Sequence, residues 1–296
     1  MSETIQIAII GGSGLYKMEG LSDIEERKIS TPFGEPSGPI VCGTLEDKRI
    51  GFLPRHGIGH TLTPTMVNYR ANIYALKVLG ARFIIAVNAC GSLKKEYKPG
   101  DIVIPNQLVD FTKGYRKQSF FERGFVAHVG TANPFCSELS KIVSDAAEKS
   151  GGSVHRGGTF ITVEGPRFSS KAESHLFRSW GMGIIGMTTS PEAFLAREAE
   201  ISYSSMAHIT DFDVWKETQV TNDMVKQQFS KNLTLAKNTL KETVAAIDVE
   251  AQYPAHSALK EAIMTQEGYI SQSAREKLGP IIKKYVFPFS AKTLEA

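Results

Sequence analysis

The chain reads as an α/β fold, and three observations predict it. Short β-branched or continuously apolar runs alternate with longer stretches of helical apolar spacing. Most of the apolar runs end in Gly, Ser, Thr or Asn. No repeat or low-complexity linker interrupts the alternation. A largely parallel or mixed sheet, with ligands gathered at its strand ends, follows from this pattern.

Residues 7–10 form a β-branched strand that ends in Gly11-Gly12-Ser13-Gly14. Strands are expected at 40–42 and 49–53, joined by a turn at 45–48. Residues 68–79 carry helical spacing through Tyr69, Ile73, Leu76, Val78 and Leu79 and stop at Gly80. The apolar run 83–87 leads into Asn88-Ala89-Cys90-Gly91-Ser92, and 102–104 is a strand after the turn Lys98-Pro99-Gly100-Asp101. Residues 137–150 read as a helix closed by Gly151-Gly152. A strand at 159–163, a helix at 171–179 and a strand at 184–187 follow. Pro191 opens a helix over 191–199, the apolar run 201–209 is a buried strand, and a long helix spans about 221–247. One domain over residues 1–250 is expected, with 251–296 as a helical extension packed on it.

Composition bounds the function. The 296 residues are 42% hydrophobic and 22% charged, an ordinary globular balance. The net charge of +3 comes with no basic stripe interleaved with aromatics, so nucleic acid is not an expected partner. Lys94-Lys95, Arg116-Lys117 and Lys283-Lys284 read as solvated faces. Three widely spaced cysteines (Cys42, Cys90, Cys136) fit neither a disulfide framework nor a zinc site. No apolar run approaches the ~20 residues that span a bilayer, and the polar residues before Ile7 do not resemble a signal peptide. A soluble cytoplasmic protein is the expectation.

The densest chemical signal is Thr210-Asp211-Phe212-Asp213, at the end of the run 201–209. In extended backbone it sets two carboxylates at i and i+2 on one side. Carboxylates at a buried strand end are costly unless something needs them. An adenine ring does: its N6 amino group donates, and its N7 gains a proton when the base leaves a sugar. Gly11-Gly12-Ser13-Gly14 can cradle an anion on backbone amides, though a tight turn explains it equally well. In Pro54-Arg55-His56-Gly57, Arg55 offers a planar fork for phosphate oxygens and His56 a second donor. In Thr162-Val163-Glu164-Gly165-Pro166-Arg167-Phe168, Phe168 can stack on a base, while Arg167 and Glu164 can pair with each other. No Gly-x-Ser-x-Gly elbow and no His-Glu-x-x-His is present.

In their order and spacing these segments resemble the trimeric nucleoside phosphorylase family, in its 5′-methylthioadenosine branch. The matching stretches include Ile9-Ile10-Gly11-Gly12-Ser13-Gly14-Leu15, Thr31-Pro32-Phe33-Gly34, Pro54-Arg55-His56-Gly57 and Val67-Asn68-Tyr69-Arg70-Ala71-Asn72. They continue through Ala89-Cys90-Gly91-Ser92, Glu164-Gly165-Pro166-Arg167-Phe168-Ser169, Gly186-Met187-Thr188 and Thr210-Asp211-Phe212-Asp213-Val214-Trp215. The resemblance implies a single α/β domain whose twisted mixed sheet forms a distorted barrel flanked by helices. It implies a homotrimer, or a dimer of trimers, with no metal or organic cofactor and with inorganic phosphate as co-substrate. By position, Ser13, Arg55, His56, Asn88, Ala89 and Thr188 resemble the phosphate site, and Met187 the ribose contact. Phe168, Ile185, Asp211 and Asp213 resemble the adenine pocket. His128 matches a residue that reaches a neighbouring subunit's ligand, and Val225 part of the wall around the methylthio group.

The implied reaction is phosphorolysis of 5′-methylthioadenosine to adenine and 5-methylthioribose 1-phosphate, with Asp211 donating to N7. Asp213 either holds Asp211 or meets the N6 amino group. Asp211 and Ser169 disfavour 6-oxopurines, because an ionised Asp repels O6 and Ser169 has no carboxylate for N1–H. The alternative is a broader phosphorylase acting on adenosine, inosine or methylthioinosine. A dinucleotide-dependent oxidoreductase is disfavoured, since Glu25 and Glu26 precede any credible second strand.

Overall fold

Phe83 to Ser92 begins as an unbroken apolar run, and it forms the strand around which the sheet is arranged. The computed structural model describes residues 4–12, 14–216 and 221–286, with the side chains of 222, 226 and 229–231 also left aside. In chain order the first strands are β1 (Ile7–Gly11), β2 (Ser22–Arg27), β3 (Ile40–Leu45) and β4 (Lys48–Pro54). Helix α1 (Tyr69–Leu79) leads to β5 (Phe83–Ser92), β6 (Ile102–Ile104) and β7 (Gln107–Phe111). Then come α2 (Ser137–Lys149), β8 (Val154–Arg156), β9 (Thr159–Val163), α3 (Lys171–Ser179) and β10 (Ile184–Gly186). The chain continues through α4 (Thr189–Glu198), β11 (Ser202–Asp211), α5 (Asn222–Ala246) and α6 (Gln272–Ile282).

The helix limits follow local chemistry. Asn68 caps α1 by accepting the Ala71 N–H at 3.1 Å, and Gly80 ends it in the left-handed conformation at φ 100°. Ser170 and Glu173 form a reciprocal capping box at the start of α3. Ser190 interrupts α4 with non-helical angles, so its regular turns begin at Pro191.

β5 pairs in parallel with β1 on one side and with β11 on the other. Near its C-terminal end it also pairs antiparallel with β10. The main path is β2-β3-β4-β1-β5-β10-β9-β7, with β11, β6 and β8 branching from β5. The sheet is therefore mixed and branched, and it does not close. The expected distorted barrel is corrected to an open sheet, because no ladder joins β7 or β8 back to β2 among the described residues. β2 is also a strand, although nearly all its residues are exposed. Glu25 and Glu26 thus lie on an antiparallel edge strand paired with β3, which is not a βαβ unit.

Buried residues of α1, α4 and α6 share one apolar cluster, which includes Ile73, Leu76, Leu278, Ile281 and Ile282. A second cluster on the other face joins β1 and β5 to α2 and α5. Glu200 ties the last segment down, accepting the Leu259 N–H at 3.0 Å and the Tyr285 hydroxyl at 2.6 Å.

Candidate active site

The C-terminal ends of β1, β4, β5 and β11 converge because all four run parallel. The Arg55 N–H donates to the Gly11 carbonyl at 3.0 Å, which ties the segment after β4 to the end of β1. Asn88 and Ala89 lie inside β5 rather than in a loop beyond it, since the strand runs on to Ser92. Asn88 Nδ2 donates to Thr189 Oγ1 at 3.2 Å, beside Thr188, while its buried Oδ1 has no partner. Gly11, Arg55, Asn88, Ala89 and Thr188 thus form one neighbourhood. Ser13 lies outside the described residues.

Arg55 is 3% exposed and is held before any ligand arrives. Its Nε and Nη2 donate to the two carboxylate oxygens of Glu192 at 2.7 and 2.8 Å. Its Nη1 donates to the Val87 carbonyl at 3.0 Å. Glu192, 0% exposed, also accepts the Tyr203 hydroxyl at 2.8 Å. Sequence reasoning missed Glu192. Its partner is 137 residues away, and only the polar break it makes in the helix 191–199 marked it. His56 Nδ1 pairs with the Leu62 carbonyl at 2.9 Å, and its ring stacks on His60. Burial, with the Arg55 charge beside it, pushes His56 down to about 4, so the ring is neutral near pH 7. Nδ1–H then donates to the carbonyl, and Nε2 carries a lone pair.

The second neighbourhood forms around Gly91. The ladders set Gly91 opposite Ile185 on β10 and opposite Asp211 on β11. A Cβ at Gly91 would come within 3.0 Å of the Ile185 side chain, 3.1 Å of Asp211 Oδ1 and 3.3 Å of Asp213 Cβ. The bare backbone therefore makes room for both carboxylates. Asp211 is the last residue of β11 and is 7% exposed. Asp213 does not continue the strand as expected. It opens a short 3-10 turn with φ 50°, and its N–H folds back onto Asp211 Oδ1 at 2.7 Å. The two acids meet through this turn and not through strand alternation.

The Thr210 hydroxyl lies 2.7 Å from Asp211 Oδ2 and 3.2 Å from the Cys90 carbonyl. It has one proton for two acceptors, so an ionised Asp211 takes that proton. A protonated Asp211 can instead donate to Thr210, which then turns to Cys90. Burial pushes Asp211 up, opposed by the Thr210 and Asp213 donors and reinforced by the Asp213 charge. Burial pushes Asp213 up as well, opposed by Ser174 of α3.

Met187 follows β10 directly and precedes Thr188, whereas no hydrogen bond among the described residues ties Phe168 to Arg55 or to Asp211. The Met187 carbonyl accepts from Arg116 Nη1 at 2.7 Å, and the Met187 sulfur packs against Gly165. Phe168 is 37% exposed beside a cleft of about 280 Å³ lined by Glu164, Gly165, Ser169, Glu173 and Phe177. Arg116 is not on a solvated face. It is 5% exposed and donates to Glu164, the Tyr69 hydroxyl and the carbonyls of Met187 and Ser190. Arg167 and Glu164 do not pair, because Arg116 holds Glu164 and Arg167 pairs with Glu173 at 2.7 Å. His128 is exposed and joins Ala262 through its backbone, while Val225 lies in the first turn of α5. No hydrogen bond among the described residues draws either toward the other site residues.

Comparison with known proteins shows which family the chain belongs to. The S-methyl-5′-thioadenosine phosphorylase of Chloroflexus aurantiacus is 50% identical over 281 residues, covering 94% of this chain and 98% of that protein. The protein of the same name from Geobacter sulfurreducens is 49% identical, covering 95% and 99%. A crystal structure of methylthioadenosine phosphorylase from an antarctic soil metagenomic library superposes with a TM-score of 0.91 at 45% identity, covering 95% of this chain and 99% of that one. Methylthioadenosine phosphorylase from Schistosoma mansoni, in complex with adenine, gives 0.82 at 38% identity, covering 88% and 99%. Residues 6–245 match the Phosphorylase superfamily, and the chain belongs to that family.

Proposed function

We propose that the protein catalyses phosphorolysis of 5′-methylthioadenosine, releasing adenine and 5-methylthioribose 1-phosphate. One observation carries this reading. β5 brings a donor-rich pocket (Arg55, Asn88, Thr188) and a buried acid corner (Asp211, Asp213) within a few residues of each other along one strand. The names of the relatives, at 44–50% identity over most of the chain, support the same substrate. Phosphate would occupy the first pocket, with Ser13 and the Ala89 amide donating and His56 Nε2, which has no proton, accepting from the phosphate's own hydroxyl rather than donating as expected, and adenine the second, between Phe168 and Ile185.

As C1′–N9 breaks, the ribose becomes cationic and the purine gains negative charge. Burial pushes Asp211 up, which favours the protonated form that N7 would draw on. Phosphate attacks C1′ from the opposite pocket, positioned by donors already in place. Met187 supports the ribose, and Val225 forms part of the wall around the methylthio group. Phosphate is the co-substrate, and neither a metal nor an organic cofactor enters the reaction. We assign the active assembly as a homotrimer with His128 serving a neighbour's site. Exposed Ile58, Met66, Tyr115 and Met264 support an interface, and His128 is itself exposed. No described helix is long and apolar enough to cross a membrane, which fits the cytoplasmic location we assign.

Adenine release from 5′-methylthioadenosine, measured with and without phosphate and beside inosine, tests the reading. Phosphate-dependent release with inosine uncleaved is expected. Release without phosphate would remove the Arg55 pocket from the reaction.

A further inference from the structure

The Arg55–Glu192 pair raises a question that the reaction alone does not answer. Arginine is usually placed at a phosphate site for its charge, yet here that charge is already matched. Both Glu192 oxygens sit on Arg55 Nε and Nη2, at 2.7 and 2.8 Å, and both side chains are almost fully buried. Of the five guanidinium N–H bonds, these two and the one on Val87 are engaged. One N–H remains on each terminal nitrogen. The rest of the described pocket adds no charge, since Asn88, Ala89 and Thr188 are neutral, and burial keeps His56 uncharged near pH 7.

We propose that Glu192 is a positioning residue that cancels the charge of Arg55, so that phosphate meets directed N–H donors in a pocket of no net charge. The inference rests on the phosphate assignment under Proposed function. Its consequence follows from differential binding. A positive pocket would stabilise the bound dianion most in the ground state, before its charge is drawn toward C1′. It would also oppose the cation forming on the ribose. A neutral pocket orients phosphate and leaves its negative charge to attract that cation. Glu192 also fixes the guanidinium plane through two parallel bonds, and Tyr203 fixes Glu192.

Glu192→Gln tests this through the split between KM and kcat. The expected result is a KM for phosphate lower by about tenfold, sulfate inhibition tighter by a similar factor, and kcat lower by about tenfold. Glu192→Asp keeps the charge but shortens the reach to Arg55, so its KM for phosphate should rise rather than fall. A Glu192→Gln enzyme with raised KM for phosphate would overturn the proposal, because Glu192 would then only hold Arg55 in place. Should Glu192→Gln fail to fold, the double variant Arg55→Gln with Glu192→Gln leaves no unpaired buried charge. Its KM for phosphate is expected to rise by about tenfold as the guanidinium donors are lost, and a rise of about a thousandfold or more would show that the Arg55 charge itself binds phosphate. Wild-type turnover that ignores phosphate would sink the site assignment instead, and that control is run first.

Discussion

The Arg55 end and the Asp211 end of the candidate site, proposed to hold phosphate and base, handle buried charge in opposite ways. At Arg55 the charges have opposite signs and are locked by two parallel hydrogen bonds. At Asp211 and Asp213 the charges have the same sign, and burial pushes both acids up. A locked pair cannot exchange a proton, but it presents donors with fixed direction. A carboxylate made uncomfortable by burial exchanges its proton readily. One strand, β5, therefore carries a fixed end and a labile end, which suits the anion-holding and proton-moving roles proposed for them.

Arg55→Ala breaks the fixed end. It leaves Glu192 buried with Tyr203 as its remaining side-chain partner and is expected to cost about 3–5 kcal/mol of stability, besides removing phosphate-dependent turnover. Urea denaturation reads the stability, and an unchanged midpoint would mean the pair is no structural unit. Asp211→Asn breaks the labile end without changing its shape. Turnover should fall about 10²–10⁴-fold while calorimetry still shows adenine binding. Unchanged turnover would take Asp211 out of the chemistry.

The helix that carries Glu192 also carries Glu198, which tests whether labile acids are confined to the base end. Burial pushes Glu198 up to about 7, against the Phe120 N–H and the Ser119 hydroxyl. A raised value means the folded protein keeps a proton that the unfolded chain has lost. Glu198 therefore favours folding at low pH, and that contribution is lost as pH rises through about 7. Glu198→Gln is expected to stabilise the protein at about pH 8 by on the order of 2 kcal/mol, with little difference near pH 4. Equal melting temperatures for variant and wild type at about pH 8 would contradict this.

Thr210→Val is the finest adjustment. It removes a donor that favours the ionised form of Asp211, so Asp211 should hold its proton to higher pH. The alkaline limb of kcat is expected to move up by about 0.5–1 pH unit. A downward shift would mean Thr210 acts on Asp211 in the opposite sense.

Much of the fold was legible in the sequence, because continuous apolar runs became β1, β4, β5 and β11, and Asn68 and Gly80 marked α1. β2 was not, since Ser-Asp-Ile-Glu-Glu-Arg buries almost nothing and exists through its ladder to β3. β8 has three residues, too few to show a period. The Asp211 corner was legible as a composition, but its geometry was not, because nothing in the run 201–213 marks the positive φ on which the turn at Asp213 depends. Glu192 and Arg116 escaped for a shared reason. A charged residue declares itself buried only through its partner, and those partners lie 137 and 48 positions away.

The shared cluster of α1 and α6 has a consequence for how this protein is made. Leu278, Ile281 and Ile282 of α6 belong to the cluster that holds Ile73 and Leu76 of α1, so that cluster is complete only once α6 is made. A ribosome adding about 5–20 residues each second needs on the order of 10–40 s to translate from one helix to the other. Through that interval the nascent chain holds a cluster that α4 can join and α6 cannot yet close. The cluster that α1 opens is among the last to be sealed.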